Sequence, residues 1–221
     1  MLPGPTLVYK CRKCNNLISQ RSLRSGNTFG ATIYSDGKMN APSSPEFPSI
    51  VKCSKCGEIL WLNDEIFIGN EVPVGTPDTI EEYDGIEIEK SRFLTIDEYI
   101  EALEVKAFKT VEEEIFIRQR IWWEFNHREQ KGTSFFNSES EKLLWLANIS
   151  RLIELFDPTD VYQRIFIAEL NRNLGNFEAC MEIIDKLDDS PQWHRYKTYY
   201  SEDCRNKNTK VFVLHSLISP R

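Results

Sequence analysis

No stretch of this chain approaches the ~18–20 consecutive apolar residues of a membrane span, so a spanning helix is excluded. The opening MLPGPTLVYK lacks both a basic n-region and a long apolar h-region, which predicts no secretory signal and a cytoplasmic location. Histidine is scarce, at three residues, and no HExxH, Walker loop, GxSxG or dinucleotide fingerprint occurs. Neither catalysis nor a small-molecule substrate is therefore expected. Positive charge is in deficit as well. A net charge of −7 argues against a protein that coats nucleic acid with its whole surface. What remains is an ordinary folded composition, 41% hydrophobic and 28% charged over 221 residues, enough for one or two domains.

The informative residues are cysteines. Four of the six fall in two pairs, Cys11-Arg12-Lys13-Cys14 and Cys53-Ser54-Lys55-Cys56. Two intervening residues let a chain turn back so that both sulfurs reach one small ion, and a second pair completes a tetrahedron with Zn–S of about 2.3 Å. Asn15 and Gly57 follow the pairs, and both tolerate the left-handed backbone that closes such a turn and aims N–H groups at the thiolates. Short apolar strands, Leu7-Val8-Tyr9 and Ile50-Val51, enter the two turns, and Ile59-Leu60-Trp61-Leu62 leaves the second. Redox chemistry, disulfides, and an iron–sulfur or other metal centre are the competing readings. Two CxxC pairs without a βαβ pattern speak against a thioredoxin-like site, and disulfides are unusual in cytosolic chains. Four thiolates on one zinc leave no position for catalytic water, so the expected cofactor is one structural Zn2+ on Cys11, Cys14, Cys53 and Cys56.

This strand–turn–strand grammar, used twice between residues 5 and 65, resembles the zinc-ribbon family, a small β-fold organised by four thiolates. The 38 residues between Cys14 and Cys53 exceed the ~15–20 usual between paired sites, which implies an insertion. A hairpin is expected in it, Ala31–Tyr34 returning through Ser35–Lys38 with Asp36-Gly37 as the turn, before an irregular loop from Ala41 to Pro48. A module this small buries too little apolar surface to fold unaided, so metal binding of order 10 kcal/mol would be its folding energy.

Charge divides the chain. Residues 1–60 carry 8 Lys/Arg against 3 Asp/Glu, residues 61–105 carry 2 against 13, and the remainder 17 against 18. The acidic part contains a Pro/Gly-punctuated linker, Val72–Pro77, then Asp84–Glu89 alternating like an edge strand, then Thr95-Ile96-Asp97-Glu98 with capping-box spacing. Its acidic residues are read as a solvated surface, with docking on the chain's own basic ribbon one role for it, and a dedicated acidic contact for a foreign partner is the alternative.

From Thr110 the pattern is helical. One helix runs from the Thr110 box to about Lys131, with Gly132 as its stop and Ile115, Trp122 and Phe125 along one side. A second starts near Ser138 and ends at Asp157-Pro158; a third is capped by Asp160 and stopped by Gly175; Phe177–Leu187 forms its partner. Ile167-Ala168, Leu174–Cys180, Ile184 and Leu187 together resemble one tetratricopeptide repeat (TPR). The resemblance implies that Ala168 packs beside Cys180 and that Phe177 is the turn aromatic. Asn171 stands where that family usually has tyrosine. A last helix is expected to carry Trp193, Tyr196, Tyr199 and Tyr200, and the β-prone tail Lys210–Leu214 to add to a sheet edge. A zinc ribbon ahead of TPR-like helices is similar to certain bacterial proteins, a resemblance that implies no activity.

The expected architecture is thus α+β. Residues 1–75 form a small N-terminal β zinc ribbon with an inserted hairpin, 76–105 an acidic linker with a short helix, and 106–221 an all-α TPR-like helical bundle. Glu124 and His127 share the three-residue spacing of a helical metal pair, but their aromatic neighbours fit core packing better. Cys180 and Cys204 read as structural or incidental thiols, with a Cys/His arrangement through His194 or His215 the lesser alternative. Function is expected to be a protein-interaction or adaptor role with a protein partner. The rival is nucleic-acid contact through Lys10, Arg12, Lys13, Arg21, Arg24, Lys52 and Lys55, with Phe29 and Tyr34 as stacking faces.

Overall fold

Two hairpins carry the four cysteines, and alternation along their strands decides what each face buries. The computed structural model describes residues 1–70, 82–83 and 86–216; the expected linker Val72–Pro77 and the Asp84-Gly85 start of the expected edge strand lie outside the described residues. In chain order the strands are β1 (Leu2–Pro3), β2 (Leu7–Lys10), β3 (Leu17–Gln20), β4 (Leu23–Ser25), β5 (Thr32–Tyr34), β6 (Met39–Asn40), β7 (Ile50–Lys52), β8 (Ile59–Trp61), β9 (Ile66–Asn70), β10 (Glu82–Tyr83), β11 (Ile86–Glu87), β12 (Glu89–Lys90) and β13 (Val213–Ser216). The helices are α1 (Ile96–Glu104), α2 (Val111–Gln130), α3 (Glu139–Leu155), α4 (Val161–Asn173), α5 (Phe177–Ile184) and α6 (Pro191–Arg205). The described residues are mixed α+β, small N-terminal sheets followed by six α-helices. They fold as two units, Met1–Gly30 with the described part of Ala41–Ala107, and Ala31–Asn40 with residues 108–216.

In the first unit β2 pairs antiparallel with β3 and β9, and β12 adds parallel to β3. Strand side chains alternate between faces. Val8 and Leu17 accordingly pack with Ile88 and Ile68, while Tyr9 and Ile18 on the other face join Val51, Leu60, Leu62 and the four cysteines. The β7–β8 hairpin forms a separate two-stranded sheet. Helix α1 begins with the complete Thr95/Glu98 capping box expected from sequence. Arg92 grips Glu98 with two 2.6 Å hydrogen bonds and holds its carboxyl at about 2. Lys52 Nζ lies 2.6 Å from Glu101 Oε2, and Trp61 Nε1 donates to the Ala107 carbonyl at 2.7 Å.

In the second unit the expected caps Thr110 and Asp160, and Ser138 where a helix start was expected, each accept a backbone N–H of the first turn. Ala168 and Cys180 are buried in one cluster with Ile165, Ile184, Leu187, Trp193 and Tyr200. Helix α5 ends at Ile184, three residues short of Leu187. On α2 the expected Trp122 and Phe125 are buried and Ile115 is half-buried; Ile117 and Ile121 join them at helical spacing with the polar Glu114, Arg120 and Asn126. Periodicity reads polar residues as solvent-facing, whereas here Glu114 is buried because Arg118 and Arg151 supply its partners.

The expected hairpin turn is present between the cysteine pairs, but β5 and β6 group with the helices. Strand β13 pairs antiparallel with β5, so the C-terminal segment does add to a sheet edge. Gly37 is required twice, by its φ of 77° and because a Cβ there would run into the Phe166 ring. Asp36 is fully buried. Asn126 Nδ2 donates to its carboxylate at 2.8 Å, the Lys38 N–H at 3.0 Å, and Trp123 Nε1 donates to its carbonyl at 3.0 Å. Ser35 Oγ donates to Glu169 Oε1 at 2.7 Å, and Glu169 takes two hydrogen bonds from Arg172, Nε at 2.8 Å and Nη2 at 2.6 Å. Arg172 then reaches the tail, donating to the carbonyls of Asn208 and Lys210, with its guanidinium 4.9 Å from the Phe212 ring centre.

Burial pushes the Asp36 carboxyl up to about 6 from 3.8, against the hydrogen bonds from Asn126 and Lys38 that favour the carboxylate. A carboxyl with a folded pKa above its unfolded value holds its proton more tightly when folded. The contribution is therefore full below about pH 4 and lost as pH rises through about 6. A gap of that size is worth about 3 kcal/mol. Asp36→Asn should remove that slope, so urea unfolding at pH 4 and pH 7 should show the variant gaining about this much on the parent chain. A stability difference that does not change with pH would place the titration elsewhere.

Candidate metal centre

The two cysteine turns are built alike. Register pairs Lys10 with Leu17 and Lys52 with Ile59, leaving six-residue loops in which cysteine takes the first and fourth places. In the first loop the Cys11 N–H donates to the Asn16 carbonyl at 2.9 Å and the Asn15 N–H to the Cys11 carbonyl at 2.8 Å. In the second, Cys53 bonds Glu58 and Gly57 bonds Cys53 at the same two distances. The fifth residues, Asn15 and Gly57, have φ of 63° and 72°, the left-handed backbone expected from their types. These turns direct the Lys13 and Cys14 N–H groups at the Cys11 sulfur and the Lys55 and Cys56 N–H groups at the Cys53 sulfur.

The result is convergence. All four Sγ atoms lie within 4.8 Å of one another, with Cys11–Cys56 at 3.9 Å and Cys14–Cys53 at 3.6 Å. Bonds of about 2.3 Å to one tetrahedral ion place sulfurs about 3.8 Å apart, so the donor set fits a single metal ion. Those distances also leave the thiols free of one another, since a disulfide needs about 2.05 Å. Cys11 and Cys53 are buried, at 1% and 0% exposure, and Cys14 and Cys56 are half-buried. Burial pushes the Cys11 thiol up to about 12 and raises Cys53, whereas the Asn16 N–H lowers Cys14. The buried sulfurs thus keep their protons until a cation takes their place.

One neighbour of the site escaped the sequence reading. Glu89 Oε2 accepts from Asn16 Nδ2 at 2.7 Å and from Ser54 Oγ at 2.8 Å, and the Ser54 N–H lies 3.1 Å from both carboxylate oxygens. Asn16 Nδ2 is also 3.6 Å from the Cys53 sulfur. The acidic alternation ending at Glu89 was the one signal in the sequence, and it pointed to an edge strand rather than to a partner for the cysteine turns.

The other candidates are used differently. Lys38 Nζ stands 3.7 Å from Glu124 Oε1, and burial with Lys38 and Lys131 lowers His127, so a cationic side chain already faces this pair. Among the described residues the four cysteines form the one group of three or more ligand-type side chains that converges. Cys180 and Cys204 are buried in the helical core and burial raises both thiols, which makes them poor nucleophiles. The His215 side chain lies outside the described residues. Of the basic residues near the turns, Lys13 pairs with Glu58 at 2.5 Å and Lys52 with Glu101. Phe29 is 59% exposed in the first unit, whereas Tyr34 belongs to the second. No described helix is long and apolar enough to cross a membrane. No protein-family model, no curated protein and no solved structure matches the chain.

Proposed function

We propose that this is a non-enzymatic adaptor protein of the cytoplasm whose Cys11, Cys14, Cys53 and Cys56 hold one structural zinc ion. The convergence of the four sulfurs carries the reading, since two CxxC turns with matching hydrogen bonds meet at tetrahedral spacing. Zinc is preferred because it needs no redox change, takes four thiolates without distortion, and supplies folding energy to a small β-module. With all four positions filled by sulfur it has no place for a reacting water. In the helical unit, Ala168 beside Cys180 with a turn at Gly175 supports a TPR-like hairpin, an element that serves other proteins as a peptide-binding surface. Exposed Leu143 and Leu144 on α3 and Tyr162 on α4 offer apolar contact for a protein partner. Nucleic acid is the weaker alternative, because Lys13 and Lys52 are neutralised by Glu58 and Glu101 of their own unit.

The discriminating experiment is capture of partners by the tagged full-length protein with and without nuclease. Retention of one protein partner after nuclease supports the adaptor reading. Loss of all bound material on nuclease treatment, with a steep salt dependence, overturns it in favour of nucleic acid.

A further inference from the structure

The two cysteine hairpins belong to different sheets and are 38 residues apart in sequence, yet four sulfurs must be held at one spacing. We propose that Glu89 is the positioning residue of the metal centre, a carboxylate clasp that fixes one cysteine turn against the other and so controls how tightly the ion is held. The inference rests on the zinc reading above. Glu89 bonds both turns at once, through Asn16 beside the first pair and Ser54 inside the second. Its backbone is itself fixed. Strand β12 sets Glu89 opposite Ile18, Ser19 Oγ donates to the Glu89 carbonyl at 3.2 Å, the Ser91 N–H donates to the Ser19 carbonyl at 2.8 Å, and Ile88 is buried against Val8 and Leu17.

The Asn16 amide shows what the clasp orients. One nitrogen is 2.7 Å from the Glu89 carboxylate and 3.6 Å from the Cys53 sulfur, so binding the carboxylate turns the amide toward the thiolate. Partners of this outer kind set ligand direction and tune how firmly the metal stays. On charge alone a carboxylate beside four thiolates is unfavourable. It is held there by Asn16 Nδ2, the Ser54 N–H and Ser54 Oγ, all donors, and that arrangement directs its hydrogen bonds to the metal turns rather than to solvent. The acidic segment thereby closes the cysteine site from outside the ribbon's own two hairpins.

The test uses the zinc-loaded full chain titrated with a competing chelator. Glu89→Gln should weaken zinc binding 10- to 100-fold, Ser54→Ala less but in the same direction, and Lys90→Ala, at an exposed neighbour, not at all. Cobalt-loaded Glu89→Gln should keep the absorption of a four-sulfur tetrahedral site, because no ligand is lost. Zinc binding within twofold of the parent in both Glu89→Gln and Ser54→Ala overturns the clasp, and Ser54→Ala decides the matter if Glu89→Gln fails to fold. A parent chain that binds no zinc overturns the zinc reading and the clasp with it, whereas a zinc-binding parent with indifferent variants overturns the clasp alone.

Discussion

Stripping the metal from the intact chain is expected to unfold the first unit and leave the helices of the second in place. The cluster that joins the two cysteine hairpins contains all four cysteines beside five apolar side chains, Tyr9, Ile18, Val51, Leu60 and Leu62, while Val8, Leu17, Ile68 and Ile88 pack as a separate small cluster on the other face of the β2–β3 sheet. So small an apolar core offsets little of the chain entropy that ordering costs. On the zinc reading, metal binding of order 10 kcal/mol would supply the difference, an amount comparable with the whole stability of a domain. Hydrogen exchange with and without a zinc chelator should show protection vanishing along β2, β3, β7 and β8 while α2–α6 stay protected. Cys53→Ser should act in the same direction without chelator, because it removes a fully buried ligand. Protection that survives in those strands after complete metal removal would mean that packing alone holds the unit.

The second large effect is expected at Arg172. Its guanidinium and the Glu169 carboxylate are both fully buried, a placement that costs several kcal/mol per ion unless every hydrogen bond is made. Partners surround both groups here: Glu169 also accepts from Ser35 in the hairpin, and Arg172 ties down the carbonyls of Asn208 and Lys210. Arg172→Ala therefore leaves a buried carboxylate without its cation, held only by Ser35 and Asn173, and two carbonyls that lose their guanidinium donor, at a cost of about 3–5 kcal/mol. Urea unfolding followed by helical circular dichroism should show that loss, and limited proteolysis should cut first near residues 206–212. Glu169→Leu combined with Arg172→Leu should recover part of it, because the lone buried charge is the larger penalty. If Arg172→Ala is as stable as the parent, the tail is held by Phe212 packing rather than by the ion pair.

Local signals were readable from sequence wherever neighbouring residues decide the structure. The CxxC spacing with Asn15 and Gly57, the Thr95–Glu98 box, the Thr110, Ser138 and Asp160 caps and the Gly132 and Gly175 stops each act within six residues. What escaped depends on partners far along the chain. Asp36 is legible only as a hairpin-turn residue; it is buried, and Asn126 and Trp123, about ninety positions on, supply its hydrogen-bond partners. The insertion looked like part of the ribbon until β13, from the far end of the chain, paired with its first strand. Glu89 reads as one more acid in an acidic run, and nothing in the sequence sets Arg172 apart within its helix. Composition and periodicity report which groups prefer water; they do not report which groups will be given a partner.

X-ray absorption at the zinc edge, combined with the metal content of the purified full-length protein, addresses the coordination directly. One zinc per chain surrounded by four sulfurs at about 2.3 Å is the expected outcome. Protein that carries no metal, or zinc bound to nitrogen and oxygen in place of sulfur, would show that the four cysteines meet for some other reason.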